Sequence, residues 1–105
     1  TKTEGSLSIL QRVMAARARQ QQRFYGTHLT TNSEMNVKNI ESFCSLDASS
    51  QTILTSAAKT FNLSARAYHR IIKTARTIAD LGDSEQITTD HILEAVQYRP
   101  KTQHL

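Results

Sequence analysis

The sequence predicts an all-α fold, a small helical bundle preceded by a connecting helix, and three observations predict it. Three Gly and one Pro among 105 residues fall far below the roughly 12% average, which removes the punctuation of hairpins and sandwiches. Apolar residues recur at three- and four-residue spacing in successive segments. A residue of the helix-capping kind stands before most of those segments.

The first helix runs from Ser6 to about Tyr25, with Leu7, Leu10, Val13, Met14, Gln21 and Phe24 on its expected buried face. Arg12, Arg19 and Arg23 line the opposite side, read most simply as a solvated face and alternatively as a contact for nucleic acid or an acidic neighbour. Residues 26–33 (GTHLTTNS) lack periodicity and read as a hinge with few groups to fix an angle, so the leading helix is expected to be partly mobile. Asn36 then caps a short helix from about Val37 to Phe43, with Met35 and Ile40 as a hydrophobic staple across the cap. Asp47 caps a third helix with Leu54, Ala57, Ala58 and Phe61 at core spacing, closed by Asn62. Ser64 caps a fourth, whose broad apolar arc comprises Ala67, Tyr68, Ile71, Ile72, Ala75, Ile78 and Ala79, and Gly82 is its natural stop. Thr88 introduces the last helix, with Ile87 and Ile92 as staple partners and Leu93, Ala95 and Val96 continuing to about Tyr98 before Pro100 ends it. The predicted organisation is a connecting helix and hinge over 1–33, a four-helix unit over 34–99 and a disordered tail over 100–105.

A formal charge of +4 without a polybasic block permits nucleic acid or phosphate partners without demanding them. No apolar run approaches the ~18 residues of a membrane span and no secretory leader opens the chain, so no membrane is expected and the expected compartment is the cytosol. The single Cys44 lies among Ile40, Phe43 and Leu46 and reads as a small buried hydrophobe.

The polar side of the fourth helix carries more charge than helix stability requires. Arg66, Arg70, Lys73 and Thr77 form a narrow stripe, with His69 and Arg76 beside it. Arg66 occupies the second helical position, where the positive end of the macrodipole makes a cation mildly unfavourable. The same position suits a phosphate oxyanion, because free amides, dipole and guanidinium converge on one ligand. An arginine that merely extends into solvent satisfies the spacing equally well.

Other constellations are weaker. His28, His69, His91 and His104 lack metal-ligand spacing. Asp80, Asp83 and Glu85 surround Gly82 without the alternation of a calcium loop and read as turn and solubility residues. Ser64, His69 and Asp80 have the composition of a nucleophilic triad, but Ser64 is better explained as a cap. The glycines are too far apart to build a phosphate loop, so no catalytic residue is assigned and no cofactor is expected on this chain alone.

The run LSARAYHRIIKTARTIADLGDSEQITTDHILEAVQYR, Leu63 to Arg99, resembles the C-terminal helical lid of the magnesium-chelatase-like AAA+ ATPases, most closely their bacterial ComM (YifB) branch. RVMAARARQQQRF, Arg12 to Phe24, resembles the stretch that joins ATPase core to lid, and SFCSLDASSQTIL, Ser42 to Leu54, resembles the start of the lid. The resemblance implies a fragment whose P-loop, magnesium-binding acid and arginine finger precede Thr1, and whose full-length protein uses ATP and Mg2+. It implies as partners the protein's own N-terminal ATPase core, neighbouring subunits of a homo-oligomeric ring, and DNA as the track of a branch-migration motor in natural transformation. Ser64-Ala65-Arg66 matches the family's S-x-R setting, which carries the second-sensor role onto Arg66; Arg70 and Lys73 are left as supporting charges. Two other readings stay open: a free-standing nucleic-acid-binding module using either basic stripe, and a structural interaction bundle with the first helix as a docking arm.

Overall fold

The computed structural model describes residues 2–99, and every described segment of regular structure in it is helical. The order is α1 (Lys2–Arg23), a single 3₁₀ turn (Asn32–Glu34), α2 (Val37–Phe43), α3 (Ala48–Thr60), α4 (Ala65–Leu81) and α5 (Thr89–Gln97). The expected end at Pro100 and the tail beyond it lie outside the described residues.

Helix starts fall where the caps place them. Asp47 accepts from the Ser50 amide at 2.7 Å, Ser64 from the Ala67 amide at 3.1 Å, and Asn36 exchanges reciprocal bonds with Asn39 at 2.9 Å. Each bond satisfies an amide that the helix itself leaves without a partner. Met35 and Ile40, the staple across Asn36, are both buried.

The helix ends differ in one respect. Both α3 and α4 close with a Schellman turn: Leu63 N–H reaches Ala58 O at 3.0 Å and Ser84 N–H reaches Ala79 O at 2.8 Å. The left-handed residues are Asn62 (φ 52°) and Asp83 (φ 59°). Gly82, expected as the stop by virtue of its freedom, has φ −88° and sits one position earlier as an ordinary cap. Asp83 takes the strained position, and its carboxylate is held by Arg19 of α1.

α4 is the axis of the bundle and packs against α1, α2, α5 and the 3₁₀ turn, while α3 packs on α5. The core gathers Leu54, Ile71, Ala75, Ala79, Ile92 and Ala95, none more than 2% exposed. Ala75 and Ala79, four apart on α4, present no side chain beyond Cβ, so neighbouring helices come close. Cys44 is buried in this core, as expected.

α1 docks by a different face from the one its hydrophobic periodicity predicts. Leu7, Leu10 and Met14 are more than half exposed; of the expected face Phe24 alone is buried, and it is joined at four-residue spacing by Ala16 and Gln20. Only the second half of the helix reaches the bundle, and there Gln20, Arg19 and Arg23 meet polar partners that the apolar row could not satisfy. Phe24 turns into the core and meets the Phe43 ring edge-on, centroids 5.2 Å apart.

Two further positions differ. Phe61, placed in the core by spacing, is the α3 cap and lies 45% exposed under the Arg99 guanidinium, which stacks 3.7 Å from its ring centroid. Leu93 faces outward from α5 at 49% exposure. The 26–33 link is also tied down: Thr30 and Thr31 amides donate to Glu34 at 2.7 and 2.9 Å, Leu29 is buried, and Asn32 is 1% exposed.

Candidate functional site

Between α4 and the segment from Ser33 to Ile40 runs a groove of about 720 Å³. Met35, Val37, Ile40 and Ile78 give it an apolar floor, and Arg66, His69, Arg70 and Lys73 give it a basic side. No carboxylate lines it. Arg66, Arg70 and Lys73 are four and three residues apart, so α4 presents one cation per turn, stepping about 5–6 Å along the groove.

The three cations differ in their bonding. Arg66 and Arg70 are exposed and have no side-chain hydrogen bond or ion pair among the described residues. Arg66 follows the Ser64 cap by two positions, beside first-turn amides that precede the intrahelical ladder. Lys73 is half-buried and its ammonium donates to Ser33 O at 3.1 Å and Met35 O at 3.3 Å. The structure therefore brings Arg66, Arg70 and Lys73 to one surface, with their charge uncompensated by any acid in that groove.

The leading stripe does not stay together in solvent. Arg12 is exposed on α1, but Arg19 pairs with Asp83 and Arg23 with Asp80 at 2.6 Å. Two of the three arginines expected on a solvated face thus point toward α4, because that is the side on which α1 docks.

Asp80 is the residue that spacing misplaced most. Expected as a turn and solubility residue, it is 1% exposed; its carboxylate accepts from Arg23 at 2.6 and 2.9 Å and Asn32 at 2.9 Å, and forms an ion pair with Arg76 at 3.1 Å. Burial pushes this carboxyl upward, but the bonds from Arg23 and Asn32 and the charges of Arg23 and Arg76 outweigh it and hold it below its ordinary value. Arg76, placed beside the polar stripe by sequence, is likewise buried and donates to Glu85 O at 2.9 Å and Ser84 O at 2.8 Å. The signal was present: an opposite-charge pair at i, i+4 inside an apolar arc is a buried pair in waiting. Its partner Arg23, 57 positions away, carried no such sign.

The discounted constellations separate. Ser64 is engaged as a cap and Asp80 is enclosed by guanidinium groups, so no triad assembles. Among the described residues no cluster of three His, Cys, Asp or Glu side chains is placed to hold a metal, and no helix is long and apolar enough to cross a membrane.

Comparison with known proteins gives a consistent picture. A family model described as magnesium chelatase, subunit ChlI C-terminal, matches residues 3–99. The chain is 41% identical over 96 residues to YifB of Escherichia coli (strain K12), named as an uncharacterised protein; the match covers 91% of this chain and 18% of that one. It is 46% identical over 68 residues to the competence protein ComM of Haemophilus influenzae, covering 65% of this chain and 13% of that one. A YifB of Salmonella typhimurium is 35% identical over 99 residues, 94% of this chain and 19% of the relative. The chain spans less than a fifth of the length of these relatives.

Proposed function

The chain belongs to the magnesium-chelatase-like family as a C-terminal domain of its ComM/YifB branch, and on that premise we propose that it is the helical lid of an AAA+ ATPase whose second-sensor arginine is Arg66. The observation that carries this reading is the groove: Arg66 and Arg70 line it with side chains that no described group engages, at the start of the helix that forms the bundle's axis.

The residues present fit a polyphosphate. Three cations with no acid among them match an anion's charge, and Arg66 adds fork donors beside a helix start. They do not fit Mg2+, since the groove holds no carboxylate to ligate it. In the full-length protein ATP and Mg2+ belong mainly to the preceding ATPase core, and the lid completes the site. Bound there, ATP supplies a phosphoryl group for hydrolysis. Arg66 orients and neutralises its terminal phosphate, Arg70 and Lys73 support that charge along the same groove, and the apolar floor excludes water from one side.

The wider assignment follows the relatives. The competence name of the Haemophilus relative is in keeping with a role in natural transformation, and the family resemblance extends the proposal to a motor driving branch migration of DNA, with neighbouring subunits of a homo-oligomeric ring as partners and the bacterial cytoplasm as its place.

Arg66→Ala in the full-length protein tests the core of this reading. The lid stays folded, because Arg66 is exposed and makes no described bond, while ATP hydrolysis falls by about tenfold or more, as expected for losing a donor to transition-state charge. Undiminished hydrolysis removes Arg66 from the nucleotide site. A free-standing nucleic-acid-binding module is the competing reading, and it has lost Arg19 and Arg23 to carboxylates. Tight DNA binding by this chain with a steep salt slope would favour it; weak binding favours a lid that needs its core.

A further inference from the structure

A continuous set of hydrogen bonds joins the groove to the leading helix. On the groove side Lys73 fastens the wall to α4 through Ser33 O and Met35 O. The adjoining residue, Asn32, stands where wall, α4 and α1 meet. Its side-chain amide donates to Asp80 at 2.9 Å and Thr77 at 3.1 Å, and its main-chain N–H donates to Gln20 of α1 at 3.0 Å. Arg23 of α1 closes the ring, donating to Asn32 Oδ1 at 2.9 Å and to Asp80. Thr77, which Asn32 contacts, donates in turn to Lys73 O at 3.1 Å.

Within this set Lys73 differs from the other groove cations: its acceptors are two neutral carbonyls. Those bonds are charge-assisted on the donor side alone, whereas an oxyanion adds a Coulomb attraction between opposite charges. An oxyanion entering the groove therefore competes for the lysine on favourable terms.

We infer that Lys73 is a switch residue. Withdrawing its ammonium from Ser33 and Met35 loosens the wall at Asn32, and through the Asn32–Asp80–Arg23 junction it loosens the hold of the bundle on α1. The wall shifts rather than unfolds, because Met35 and Ile40 stay anchored in the core. The groove and the leading helix then behave as one linked element, and a ligand at Arg66 and Arg70 is sensed at the helix that leads out of the domain. The ligand half of this inference rests on the phosphate reading above; the mechanical half stands on the hydrogen bonds alone.

Amide hydrogen exchange on the 105-residue chain tests both halves. In Lys73→Met, which keeps the length of the stem, exchange at the Asn32 and Phe24 amides accelerates together by about tenfold, the scale of one net hydrogen bond lost. The Ile92 amide, bonded to Thr88 O at 3.1 Å on the far side of the core, keeps its rate. Lys59→Met, an exposed lysine outside the groove, leaves all three unchanged. Acceleration at Asn32 with Phe24 unmoved, or an equal acceleration at Ile92, overturns the coupling. In the unmodified chain, inorganic triphosphate should shift the Arg66 and Arg70 side-chain resonances and speed exchange at Asn32. Shifts without faster exchange overturn Lys73 as the switch and leave the phosphate reading intact. No shift at either arginine overturns the ligand half of this inference, since the groove then holds no phosphate by itself, and the Lys73→Met result decides the coupling.

Discussion

Asp80→Asn removes one charge and almost no volume, so its effect isolates the electrostatics of the junction between α1 and α4. In the parent chain one carboxylate faces two guanidinium groups, Arg23 at 14% and Arg76 at 5% side-chain exposure. Neutralising it leaves both charges enclosed without a counter-ion, and the new amide group points N–H donors at donors. Arg76 keeps the Glu85 and Ser84 carbonyls, but Arg23 keeps Asn32 Oδ1 and at most one neutral amide oxygen in place of the carboxylate. Breaking a buried pair by removing one partner costs about 3–5 kcal/mol. For a domain of this size that is a Tm lower by about 12–40 °C, a large part of a total near 5–15 kcal/mol. Arg23→Met should cost less, about 1.5–3 kcal/mol, because Asp80 retains Arg76 and Asn32. The double variant should cost less than the sum of the two, since the charge stranded by Asp80→Asn is gone. Thermal and urea unfolding followed by far-ultraviolet circular dichroism measures all three. The pH dependence has a definite sign. The folded chain holds this carboxyl below its ordinary 3.8, so the stabilisation is whole above 3.8 and is lost as pH falls through the lower folded value. Parent and Asp80→Asn should therefore converge in acid. A variant within about 1 kcal/mol of the parent at pH 7, below the range for a stranded buried charge, would refute the reading of Asp80 as a buried anchor.

Three more outcomes follow from the same geometry. Gly82→Ala should stabilise the chain by about 0.4–1 kcal/mol through a stiffer unfolded state, because Gly82 has an ordinary φ and an added Cβ would lie 3.5 Å from Ile78 O, a normal contact; destabilisation in urea unfolding would contradict that conformation. Phe24→Ala should cost about 3–5 kcal/mol, while Leu10→Ser, on the exposed face, should stay within about 0.5 kcal/mol of the parent; equal losses would mean that α1 docks by its apolar row after all. Burial pushes the Cys44 thiol up to about 11, so a thiol-reactive disulfide reagent at pH 8 should label it only as fast as the chain opens, and rapid labelling of folded chain would place Cys44 outside the core.

Much of the fold was legible because its signals are local. A cap is a side chain bonded to an amide three residues on, so Asn36, Asp47 and Ser64 announced their helices without reference to anything distant. The arc of α4 was legible for the same reason, since one helix carries its whole periodicity. The site was legible in part: Arg66, Arg70 and Lys73 share a stripe in sequence and a groove in structure. The opposing wall from Ser33 to Ile40 was not, because its approach to α4 depends on Lys73 reaching carbonyls 40 and 38 positions away.

The amino-acid order by itself determined that the chain is all-α, where the capped helices α2, α3 and α4 begin, and the apolar arc of α4 with its outward stripe of Arg66, Arg70 and Lys73. Tertiary structure decided how α1 is rotated and which charges are buried. Periodicity marks a face as apolar but does not name its partner. On α1 the docked face is the one that both buries Ala16 and Phe24 and brings Arg23 to the enclosed Asp80 carboxylate, which is costly to leave without a partner, and the row of Leu7, Leu10 and Met14 stays in water.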